Sequence, residues 1–132
     1  MVSHADAVIV IDSLPEVIEG TSYGNRAWKV RGSVFAWDRP FSKADLRRYG
    51  DHPVPSGPIV GLKVDGLDDK KAVLEAGTDG VFTIPHFEGF PAVLVQLDAV
   101  DPDDFRALVV DAWLATAPDQ LTEAYLRDHP IG

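Results

Sequence analysis

The stretch Trp28-Lys29-Val30-Arg31-Gly32-Ser33-Val34-Phe35-Ala36-Trp37 constrains the fold of this chain more than any other. It reads as a tight β-hairpin, with glycine supplying the positive φ that two-residue hairpin turns require. A turn at Gly32-Ser33 sets Trp28 opposite Trp37 and Val30 opposite Phe35. Strand side chains alternate faces, so these four residues are expected on one face and Lys29, Arg31, Val34 and Ala36 on the other. Sliding the turn back to Arg31-Gly32 changes the partners and leaves the faces unchanged. The expected ribbon thus has an aromatic side that needs a core and a side carrying two cations.

The rest of the chain supplies that core. Its 132 residues suit a single domain spanning 1–132, and 45% of them are apolar. There is no cysteine, which excludes disulfides and thiolate chemistry and suits a reducing cytoplasm. The first residues lack a basic region followed by a long apolar run, so no signal peptide is expected. No apolar run approaches the roughly 18 residues of a membrane span, and a cytoplasmic location is the expectation.

Charge is uneven. The net value is −9, yet residues 24–50 hold seven cations against two acids, a local surplus of five that leaves the remainder at −14. A polyanion would be repelled by the whole and attracted by this one segment.

Element signals follow in order. Ser3 with Asp6 opens a helix that Pro15 closes. Pro15 to Gly24 reads as a connector, Arg26 to Arg31 and Val34 to Asp38 as the hairpin strands. Ser42 and Asp45 start a short helix ending at Gly50. Asp51 to Pro58 is a loop, Ile59 to Val64 a strand, Asp68 to Ala76 a short acid-capped helix, and Val81 to Ile84 a strand. After the compact loop Pro85–Pro91, Ala92 to Leu97 is apolar enough for a central strand covered on both faces. Asp101-Pro102-Asp103-Asp104 opens a helix whose stripe is Phe105, Leu108, Val109, Ala112 and Trp113. Residues 119 to 126 add a terminal helix docking through Leu121, Ala124 and Tyr125. Together these give an α+β class: two layers, a mostly antiparallel five-stranded sheet, and helices packed on one face, in the order α-β3-α-β2-α.

Reactive constellations are absent from the sequence. His4, His52, His86 and His129 lack metal-ligand spacing, so neither a metal nor another cofactor is expected. No glycine-rich phosphate loop or nucleophile elbow is present, and none of Ser22, Ser33, Ser42 and Ser56 sits in one. The paired acids at 68–69 and 103–104 sit where helix N-termini favour them. No catalytic residue and no enzymatic activity are expected. His86 stands out, in a Pro- and Gly-bounded loop beside Phe87 and Phe90. It either fixes that loop or, with Trp28, binds a small ligand.

Two stretches carry a family resemblance. Thr21-Ser22-Tyr23-Gly24 with Ala27 through Ala36, and Thr83-Ile84-Pro85-His86-Phe87-Glu88-Gly89-Phe90-Pro91-Ala92-Val93-Leu94-Val95 followed by the 101–118 helix with Trp113, resemble the MmcQ/YjbR-like family. The resemblance covers nearly the whole chain. It implies a two-layer fold similar to secretion-chaperone-like domains and a proposed "double-wing" DNA-binding role, and it brings no catalytic residues. The expected function is therefore a small non-enzymatic domain contacting DNA weakly through Lys29, Arg31, Lys43, Arg47 and Lys63. The alternatives are a protein-interaction or chaperone-like module, including a homodimer, and a small-ligand site near His86. No membrane partner is expected.

Overall fold

The computed structural model describes residues 1–50, 55 and 57–129. The loop expected over 51–58 lies largely outside that set, as do His52 and Ser56. Six strands form one sheet, β1 (Val17–Ser22), β2 (Asn25–Val30), β3 (Ser33–Asp38), β4 (Ile59–Lys63), β5 (Val81–Phe82) and β6 (Ala92–Gln96), in spatial order β1-β2-β3-β4-β6-β5. Every pairing is antiparallel. The helices are α1 (His4–Asp12), α2 (Lys43–Tyr49), α3 (Leu67–Glu75), α4 (Pro102–Thr116) and α5 (Asp119–Asp128), with a 3-10 turn at Pro85–Phe87.

The α+β class and the antiparallel sheet hold, but the sheet has six strands rather than five, and the order is α-β3-α-β-α-β2-α-α rather than α-β3-α-β2-α. The extra one is β1, which the sequence reading treats as a connector. Val17-Ile18-Glu19-Gly20-Thr21-Ser22 is polar, holds a glycine and lies at the sheet edge, where alternation is weakest. A two-residue turn at Tyr23-Gly24, with φ of 50° and 81°, joins it to β2. This is the paired positive φ of a type I′ turn. A second such turn joins β2 to β3, and it falls at Arg31-Gly32 (φ 50° and 83°) rather than Gly32-Ser33.

One further departure reshapes the hairpin. Lys29 pairs with Val34 and Trp28 with Ala36, so Phe35 is an extra residue in β3. Such a bulge reverses which face later residues occupy. Phe35 and Ala36 both enter the same core as Trp28 and Val30, while Trp37 crosses to the opposite side. Of the four residues expected on one face, Trp28, Val30 and Phe35 share it and Trp37 alone does not, while Ala36 joins the core side instead.

Two cores result. The larger joins Trp28, Phe35, Leu62 and Val93 to Ile11 of α1 and to Phe105, Val109 and Trp113 of α4, all fully or almost fully buried. The N-terminal strut is fixed by the Val2 N–H donating to the Leu97 carbonyl at 2.8 Å. The smaller core lies on the other face: Ile59, Leu94, Ile84 and Phe87, with Trp37, Phe41, Phe82 and Tyr49 of α2 against them. Helices on a single face is thus an incomplete description, because α2 contributes to this second layer. β6 is covered on both faces, as its apolar composition requires.

Candidate functional site

The second layer covers only part of its face. Beyond it, toward β1 and β2, an open groove of about 780 Å³ remains. Val34, Trp37, Asn25 and Lys63 project from the strands, Arg39, Pro40 and Phe41 flank one side, and His86, Phe87 and Phe90 form the other. Ser22 and the fully exposed Tyr23 close the end at the β1–β2 turn.

Local chemistry positions each part. Trp37 lies across Gly61, its partner on β4. Only a residue with no Cβ admits that ring. Trp37 is 6.2 Å from Phe87 and 6.3 Å from Phe90 by ring centroids, and Phe87 meets Phe90 edge-on at 5.6 Å. Tilted and edge-on contacts of this kind are the favoured aromatic geometries. The Phe-bearing loop is held from beneath by Lys70 of α3. Its buried ammonium donates to the Phe87 carbonyl at 2.6 Å and the Phe90 carbonyl at 2.9 Å. Burial lowers the Lys70 pKa, with Glu88 acting in the opposite direction.

Two cations stand on the aromatic rings. The Lys63 ammonium lies 4.4 Å from the Phe90 centroid and the Arg39 guanidinium 5.6 Å from that of Phe87. Arg39 is also 3.0 Å from Asp45, which is almost wholly buried and closes a capping box with Ser42 at the start of α2. Burial would raise the Asp45 pKa. The Ser42 backbone N–H and Arg39 outweigh it, and the net shift is downward. A carboxylate held below its ordinary pKa stabilises the fold above the unfolded-state value and ceases to as pH falls through the folded one. Asp45→Asn is therefore expected to cost about 2 kcal/mol at pH 7. Urea unfolding at a series of pH values should show that deficit shrinking below about pH 4.

The sequence-derived residues scatter relative to this groove. His86 and Lys63 line it together. Trp28 does not: it is fully buried in the larger core, apart from the groove that holds His86. Arg31 is exposed but bonded to Glu16, with its Nε 2.7 Å from the carboxylate. Arg26 is likewise bonded to Glu19. Both acids belong to the segment treated as a connector, and strand pairing brings them beside the cations. With Arg39 and Arg48 both on Asp45, four of the seven cations of the basic segment are paired. Among the described residues Lys29, Lys43 and Arg47 make no ion pair; Lys43 and Arg47 lie exposed on α2.

Sequence reasoning missed Trp37, Arg39, Phe41, Tyr23 and Asn25. One signal for Trp37 was present, since Val34-Phe35-Ala36-Trp37 is an unbroken apolar run and therefore not a simple alternation. Among the described residues no group of three or more histidines and carboxylates is placed to hold a metal ion, and no helix is long and apolar enough to cross a membrane.

The fold and groove define a small single-sheet α+β domain with an aromatic, cation-edged recess on the thinly covered face of its sheet. The chain belongs to the YjbR family, whose model matches residues 12–115. It is 38% identical over 131 residues to the uncharacterized protein Rv2570 of Mycobacterium tuberculosis H37Rv, covering 97% of this chain and 98% of that protein. The uncharacterized protein Mb2600 of Mycobacterium bovis matches to the same extent. No solved structure gives a significant match.

Proposed function

We propose that this chain is a non-enzymatic binding domain whose site is the groove over Trp37. The observation that carries the reading is the convergence of Trp37, Phe87, Phe90, Lys63 and His86 around an open recess of about 780 Å³, within the usual size range of small-ligand sites. This favours the small-ligand alternative over duplex DNA. Non-specific DNA affinity comes mainly from Lys and Arg on phosphates; Glu16 engages Arg31, one of the five residues that reading names, and Glu19 and Asp45 engage Arg26, Arg39 and Arg48 of the same basic segment.

Titration of the ¹⁵N-labelled protein with a fragment library tests the proposal. Aromatic fragments are expected to shift the Trp37 indole N–H and the amides of residues 22–25 and 86–90. Shifts confined to other surfaces would overturn it. Salt-dependent binding of a DNA duplex, abolished by Lys43→Glu with Arg47→Glu, would restore the DNA reading instead.

A further inference from the structure

The groove's charge names a ligand class. Acids outnumber Lys and Arg by 21 to 12 over the chain, yet no aspartate or glutamate is among the groove's lining residues, which include Arg39, Lys63 and His86. The two stronger cations are not spent on acids in equal measure. Arg39 shares one carboxylate with Arg48, so that cluster keeps a surplus positive charge. Lys63 makes no ion pair among the described residues, and its contact there is the face of Phe90. An ammonium against a ring, beside an apolar recess, retains its capacity for an anion.

Resting on the groove as the binding site, we propose that its ligand is a flat aromatic monoanion: a ring system bearing a carboxylate, packed on Trp37, with the anionic group at Lys63. Trp37 and Phe87 supply the apolar wall, and the loop carrying Phe87 and Phe90 is already fixed by Lys70, so little ordering is needed on binding. A single negative charge suits the chain better than many. The net −9 repels a polyanion over about a Debye length, roughly 10 Å at 0.1 M salt, whereas a compact monoanion meets chiefly the local cations.

Calorimetric titration with 1-naphthoate and its neutral counterpart 1-naphthalenemethanol, followed in parallel by the Trp37 indole N–H signal, tests this. The carboxylate is expected to bind about tenfold more tightly. Lys63→Met should remove that preference while leaving the alcohol's affinity unchanged, and Lys63→Arg should retain it. Equal affinities, unaltered by Lys63→Met, would overturn the monoanion and leave the groove as an aromatic site. Silence of the Trp37 signal toward both compounds in the folded protein would overturn the groove itself. Tighter binding of oligo(dT) than of 1-naphthoate would overturn the monoanion in favour of a single strand.

Discussion

Gly61→Val is expected to cost about 3 kcal/mol and to lower the melting temperature by roughly 10 °C. The glycine sits on the central strand β4, buried, with no unusual backbone demand, so the effect comes from space alone. A Cβ built there would lie 2.5 Å from Trp37 Cζ2 and 2.7 Å from Nε1. Neither backbone can retreat, because Gly61 is paired with Leu94 on one side and Trp37 on the other. The indole must leave its seat, and it takes the contacts with Phe87 and Phe90 with it. The signature is coupling. In a Trp37→Leu background the same Gly61→Val change should cost at least 1 kcal/mol less, measured by denaturant unfolding in a double-mutant cycle. Equal costs in both backgrounds would show that the ring is not what fills the space above Gly61.

The second large effect concerns the other two tryptophans. Trp113→Ala is expected to cost about 4 kcal/mol, since it empties a fully buried site in the larger core. It also removes the bond from Trp113 Nε1 to the Pro15 carbonyl at 3.1 Å and the packing on Tyr125, whose ring centroid is 5.2 Å away. These contacts tie α4 to the α1–β1 connection and to α5, so the loss should loosen both ends of the chain. Trp28 is equally buried, but its indole N–H has no partner among the described residues. Its replacement by phenylalanine forfeits no hydrogen bond and discards an unpaired donor. Trp28→Phe is therefore expected to be about 1 kcal/mol milder than Trp113→Phe. Thermal unfolding of the two variants side by side decides the order.

Much of the architecture was legible because local signals agree with the global arrangement. Ser3, Ser42 and Asp101 cap α1, α2 and α4 through their side chains, as their spacing from the following residues implies. The apolar stripe of α4 and the uninterrupted run of β6 point to burial without reference to the rest of the chain. What escaped depends on residues far apart or on a count of one. β1 is a strand because β2 offers it an edge, not because Val17–Ser22 favours one. The bulge at Phe35 is invisible to alternation, which cannot say which residue of an apolar run is the extra. Lys63 and His86 could be named as candidates, but their sharing of one recess with Trp37 and Arg39 arises from β4, β3 and the 85–90 loop meeting across the sheet. The charge balance of the basic segment was hidden for the same reason, since Glu16 and Glu19 lie outside the 24–50 window and beside Arg31 and Arg26 in the sheet.

Phe35 has a reach beyond its own packing. Because it adds one position to β3, two consecutive residues, Phe35 and Ala36, enter the larger core before Trp37 returns to the other face. A homologue shortened by this one residue would keep the topology, the hydrogen-bonded ladder and the indole over the recess, because Val34, Ala36 and Trp37 would then simply alternate; what it would lose is a fully buried ring from the larger core. Within this family, length between the second turn and the end of the third strand becomes a marker of how the interior beneath the sheet is filled, independent of overall identity.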